Sequence, residues 1–175
     1  MTEERFRQVF NSVERHIERR YGLPVVITDV PDPFTGDLDG ATILVDYDLD
    51  AEDALFILVH LFGHTVQWNV SAEDRALGML EVRDASEELL AALARYEVDS
   101  ARYSLGLFHE VGVHDLDQWL SDFAACDIAY LMHFYRTGEK RAFRSFWVEG
   151  ATALSPLTIP DFQPTKWIAR SGTVI

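Results

Sequence analysis

Residues 57–68 read ILVHLFGHTVQW, and this stretch decides the fold because it places two histidines in an otherwise apolar run. The segment from Asp50 to about Trp68 is apolar on nearly all sides, which is typical of a central, buried helix. Asp50 is predicted to cap its first turn. His60 and His64 are four residues apart, so they project from one face of this helix, one turn apart.

The pair predicts a metal site. Zinc takes four N, O or S ligands, and two imidazoles on one helix face provide half of them. The chain has one cysteine, Cys126, which excludes a cysteine-rich structural zinc site. The alternative is a pair of core histidines bonded to carbonyls or carboxylates. Two histidines on one face of a central helix, with Gly63 between them, favour the metal.

A third ligand must come from another element, and Glu97 is the best candidate. It lies on a long helix predicted over residues 86–110, in a stretch whose leucines and alanines indicate inward packing. Asp99 lies about 200° round the helix from Glu97, so the two carboxylates cannot both face one ion. We therefore prefer Glu97 as the third ligand beside His60 and His64, with Asp99 as the alternative.

The rest of the chain predicts an α+β fold that is mainly helical, with a small β-sheet or hairpin edge strand before the histidine helix. One domain is expected over residues 1–175, since the chain is short for two. The further predicted elements are helices over 3–20, 115–136 and 139–149, strands over 25–28 and 41–46, turns over 31–40, a loop or short helix over 71–85, and an irregular tail with a late strand as an option.

The acidic composition of the chain makes some classes of binding partner unfavourable. The chain has 29 acidic and 15 basic side chains and a net charge of −14, with 48% apolar residues. An acidic surface disfavours nucleic acid and anionic membranes, because phosphate binding needs clustered positive charge. The single cysteine, the lack of an apolar leader and the absence of a long apolar run predict a cytoplasmic protein outside the membrane.

Four other histidines are not assigned to the site. His109 and His114 have i, i+5 spacing, which turns the second about 140° away on a helix. Gly112 also interrupts the segment, so both are predicted to be exposed residues at a helix end. His16 and His133 are predicted to be structural or solvated.

The same residues carry a family resemblance. Asp39–Asp46, Asp50–Ala54 and His60-Leu-Phe-Gly-His64 resemble the core of the ImmA/IrrE-type metallopeptidases, which are zincin-like domains. In that family an edge strand precedes a helix with the motif H-E-[LF]-G-H. A downstream E-x-x-A-x-x-[FY]-A-x-x-L helix supplies the third ligand, and Glu97–Leu107 is similar, with serine for both alanines. The resemblance implies one zinc ion on His60, His64 and Glu97.

The family resemblance covers about residues 23–107, and residues 108–175 remain unassigned. The chain departs from the family at Leu61, where the motif has glutamate. That glutamate moves the proton of the metal-bound water, a contribution of about 10²–10⁴-fold. We therefore expect a metal-binding module with a regulatory or binding role, with a protein or peptide as a possible partner. The alternatives are an active hydrolase with a displaced base, for which Glu149 is a candidate, and a metal-free helical scaffold.

Overall fold

The structure is a computed structural model that describes residues 2–82 and 84–167. Within them the chain forms an α+β fold that is mainly helical with a small mixed sheet, which confirms the predicted fold class. The helices are α1 (Glu3–His16), α2 (Ala51–Val70), α3 (Ala72–Gly78), α4 (Glu87–Glu110) and α5 (Asp117–Thr137), and the strands are β1 (Val25–Thr28), β2 (Gly36–Leu38) and β3 (Ile43–Asp46).

The sheet has the order β1-β3-β2. β1 pairs with β3 in parallel, and β2 pairs with β3 antiparallel. A hairpin between the two predicted strands therefore does not form. The segment predicted as turns contains β2. The chain reverses before β2 and again after it, so β3 runs in the same direction as β1. Sequence missed β2 because it is three residues long and contains Gly36 and Asp37, types depleted in strands.

Helix α2 forms the centre of the molecule. It packs against α1, α4 and the sheet, and its side chains from Leu55 to Trp68 are buried. The Asp50 carboxylate accepts hydrogen bonds from the amides of Glu52 and Asp53, which satisfies two of the free donors of the first turn. The predicted cap and the predicted buried helix are both present.

Helices α2 and α4 approach closely at Gly63. A Cβ atom there would collide with the carbonyl oxygen of Ser100, so only glycine allows this crossing. The Ser100 hydroxyl donates to the carbonyl of His60, and the Ser104 hydroxyl donates to that of Val59. These two serines occupy the positions of the alanines in the ImmA/IrrE motif. Their hydrogen bonds hold α4 against α2.

The region after α5 differs from the sequence-based expectation. The helix predicted over 139–149 is wrong, because only a single 3₁₀ turn forms there, at Phe143–Phe146. Aromatic side chains set the path of this segment, since Phe143 and Trp147 both contact Phe123 of α5. Residues 151–167 are irregular, as predicted, and the late strand is not found among them. Residues 168–175, where it was also an option, lie outside the described residues.

The irregular tail is nevertheless anchored. The amide of Leu157 donates to the carbonyl of Arg102 on α4, and the amide of Trp167 donates to the carbonyl of Asp39 after β2. Gly106 leaves room on α4 for the tail to cross. Across the ranges that the structure describes, no helix has the length and apolar character needed to cross a membrane.

Candidate metal centre

The structure brings together the three residues that sequence predicted as ligands. Nε2 of His60 lies 3.2 Å from Nε2 of His64, which lies 3.0 Å from Oε2 of Glu97. One ligand atom from each residue lies within 4.8 Å of the other two. In a tetrahedral zinc site with bonds of 2.0–2.1 Å, neighbouring donors are about 3.3 Å apart. The spacing of these atoms suits a single metal ion.

The close helix crossing places Glu97. Because α4 is held against α2 at Gly63 and Ser100, the residue one turn earlier on α4 faces the two histidines. Asp99 does not share that face: it is half-buried, and its carboxylate pairs with Arg102 at 3.0 Å. The structure therefore favours Glu97 over Asp99, in agreement with the rotation argument.

A hydrogen-bond chain orients the ring of His64. The amide nitrogen of Gln67 donates to the carbonyl of Tyr96 at 2.8 Å, so its oxygen must face His64. That oxygen lies 2.9 Å from Nδ1 of His64 and accepts its proton. Because Nδ1 is held by Gln67, Nε2 is the nitrogen of His64 that faces His60 and Glu97. Sequence reasoning did not find Gln67, although it lies one turn from His64 on the same helix.

Burial keeps His60 in the form that a metal requires. The side chains of His60, His64 and Glu97 belong to residues only 6–7% exposed. The pKa of His60 is lowered to about 3, mainly by burial and also by the neighbouring His64, while Glu97 opposes the shift. A neutral imidazole is the form that binds a metal ion.

A fourth residue, Asp127 of α5, was missed. Its Oδ2 lies 3.8 Å from Nδ1 of His60, and its side chain is buried. Burial raises the pKa of Asp127 well above its ordinary value, and the charge of Glu97 raises it further. Nδ1 and Nε2 point to opposite sides of the ring, so Asp127 lies behind the ligand, where carboxylates commonly orient metal-bound histidines. An aspartate in the apolar stretch Ala-Ala-Cys-Asp-Ile-Ala was the available signal.

Neither Leu61 nor Glu149 supplies a base in the buried centre. Leu61 is buried and packs toward β2, where its Cδ1 lies 2.8 Å from the position that a Cβ of Gly36 would take. Glu149 is exposed, unlike the three buried ligand residues.

The other histidines divide into two groups. His16 bonds to Glu110 at 2.7 Å, and His133 lies beside Thr137. His109 and His114, however, come together with ring centroids 4.3 Å apart, so the prediction that they diverge is wrong. The rotation argument assumed a continuous helix, whereas the chain turns between them. Of the two, His114 is exposed as predicted and His109 is half-buried.

Comparisons with protein-family models, with curated proteins and with solved structures found no match to this chain. The functional argument therefore depends on the residues of the site itself.

Proposed function

We propose that this chain is a zincin-like metal-binding protein of the ImmA/IrrE type. In this proposal His60, His64 and Glu97 hold one zinc ion, and the domain serves as a binding or regulatory module for a protein or peptide. The observation that carries the proposal is the convergence of two imidazole nitrogens and a carboxylate in a buried cluster. Two histidines and one glutamate form one of the donor sets that catalytic-type zinc sites use.

The proposal excludes ordinary peptidase activity because of Leu61. A bound zinc ion supplies a water of lowered pKa and polarises a carbonyl group. Hydrolysis also needs a group that takes the proton and passes it to the leaving amine. Leucine cannot do this, and Asp127 lies on the far side of His60 from the converging nitrogens.

A metal-free scaffold is the competing interpretation. The polar side chains of this core are hydrogen-bonded, since Nδ1 of His64 contacts Gln67 and Nε2 of His64 contacts Glu97. The convergence of Nε2 of His60, Nε2 of His64 and Oε2 of Glu97 at 3.0–3.2 Å favours the metal, because it is close to the spacing of neighbouring zinc ligands.

Elemental analysis tests the proposal. Protein purified from zinc-replete medium, and incubated with a weak chelator to clear loosely held ions, should retain at least one zinc ion per chain, bound at the buried centre. His64→Ala should lose that ion, whereas His133→Ala, a histidine on another helix, should retain it. Folded wild-type protein that retains no zinc under these conditions would contradict the proposal.

A peptide-library assay separates the module from the hydrolase alternative. Zinc-loaded protein should release no more product than the zinc-free protein. Hydrolysis that disappears both in His60→Ala and in one carboxylate variant would establish the displaced-base hydrolase instead.

A further inference from the structure

A second cluster of ligand-type side chains lies where α4 ends and α5 begins. His109 is in the last turn of α4, His114 is in the connecting turn, and Asp117 is the first residue of α5. One ligand atom from each lies within 4.8 Å of the other two. Nε2 of His109 lies 2.9 and 3.1 Å from the two oxygens of Asp117.

The backbone holds this arrangement in place. Gly112 adopts a φ of +74°, in the left-handed region that favours glycine, and turns the chain back on itself. The amide of Val113 then donates to the carbonyl of Phe108 at 2.9 Å. Val113 and Leu116 are buried and anchor the turn on both sides of His114. His114 is therefore directed at His109 by a turn that the core stabilises.

We propose that His109, His114 and Asp117 form a second divalent-metal site that binds zinc-type ions. The donor set, two imidazoles and a carboxylate, is the same as in the buried centre. The nitrogen–oxygen separation of 2.9 Å is near the roughly 3.3 Å between neighbouring donors of a tetrahedral zinc ion. A histidine binds a metal ion through a ring nitrogen that carries no proton, so a bound ion replaces the hydrogen bond between His109 and Asp117.

The acidic neighbours of the cluster have other partners. Asp115 forms two hydrogen bonds with Arg5, at 2.6 and 3.0 Å. Glu110 accepts from Tyr21 and lies 2.7 Å from His16. Two histidines and Asp117 therefore remain as the donor set of the turn.

The site is independent of the buried centre. His109 is twelve residues beyond Glu97 on α4, which corresponds to about 18 Å along the helix. His109 and Asp117 are half-buried and His114 is exposed, so an ion reaches the site directly from solvent. An ion here links the end of α4 to the start of α5.

Zinc titration of metal-free protein by calorimetry tests the site. Wild-type protein should bind two ions per chain, and His114→Ala should bind one. His64→Ala should still bind one ion, and the double variant His64→Ala/His114→Ala should bind none. His64→Ala/His133→Ala is the matched control and should bind one ion.

The outcomes separate the two proposals. The wild-type protein could bind one ion, with binding lost in His114→Ala and kept in His64→Ala. That result would support the turn site and contradict the buried centre. An ion count unchanged by His114→Ala in the wild-type background overturns the turn site. That comparison needs only the exposed His114 to be changed, so it remains decisive if His64→Ala does not fold.

Discussion

Asp127 lies 3.8 Å from His60, and we expect it to affect the buried centre through that histidine. If its carboxylate orients the imidazole, Asp127→Asn should weaken zinc binding by about 10–100-fold, the usual effect of losing such a partner. Competition with a chromophoric chelator measures the change. Asp122→Asn is the matched control, because Asp122 is buried on the same helix but accepts from Gln118 and from the amide of Ala151. Equal affinity in the Asp127→Asn protein and the wild type would contradict an orienting role.

Asp127→Asn should weaken zinc binding, but it should stabilise the metal-free protein against unfolding. The folded chain keeps the Asp127 proton above the ordinary pKa of 3.8, whereas the unfolded chain releases it. The free energy of unfolding of the wild type therefore falls as the pH rises from the ordinary pKa toward the raised pKa of folded Asp127. Asparagine does not titrate, so the variant does not lose this stability. The stability advantage of Asp127→Asn over wild type should grow from pH 4 to pH 8 in urea unfolding. An advantage that shrinks with pH would show that the native carboxyl is ionised.

Cys126 should be chemically inert in the folded protein. Burial, aided by the charge of Asp127, raises the pKa of its thiol to about 11, and Sγ donates to the carbonyl of Phe143. Because the thiolate is the reactive form, iodoacetamide at pH 8 should leave the native protein unmodified and alkylate it in urea. Mass spectrometry reports the result. Rapid alkylation of native protein would show that the thiol is accessible.

At the scale of the elements, the crossing of α2 and α4 controls the centre. Gly63→Ala forces Ser100 away, and overpacking of this kind costs about 1–3 kcal/mol. We expect a lower free energy of unfolding and weaker zinc binding, since Glu97 moves with α4. Calorimetry and chelator competition measure the two effects.

Gly138→Ala provides the control for this substitution. Gly138 has a φ of +71° and open space around its Cβ position, so alanine there is strained but remote from the crossing. It should lower stability without changing zinc affinity. If Gly63→Ala leaves affinity unchanged as well, Glu97 is not positioned by this crossing.

Sequence patterns predicted some elements correctly and others wrongly. The apolar character of α2 and its Asp50 cap are local properties, so its position was predicted within two residues. The segment 139–149 has no comparable pattern, and the packing of Phe143 and Trp147 against α5 decides its path. Local helix preference gave the wrong answer there because tertiary contacts outweighed it.

For the whole molecule, zinc binding should appear as thermal stability. A ligand that binds only the folded state at 100 times its Kd adds about 2.7 kcal/mol. For a chain of this size that corresponds to an increase in Tm of roughly 5–10 °C. The experiment uses His114→Ala protein, so that only the buried centre contributes, and compares zinc-loaded with chelator-treated samples by calorimetry. An unchanged Tm would indicate a metal-free scaffold.

The sequence by itself determined the mainly helical α+β class and the central helix, and it predicted His60, His64 and Glu97 as the ligands. These follow from helix periodicity and from the rotation between neighbouring side chains, which are properties of a single element. Only the tertiary structure decided that α4 lies close enough for Glu97 to face the histidines, that Asp127 stands behind His60, and that the turn at Gly112 brings His114 to His109. Each of these depends on contacts between elements, and no local pattern encodes the path that the chain takes between them.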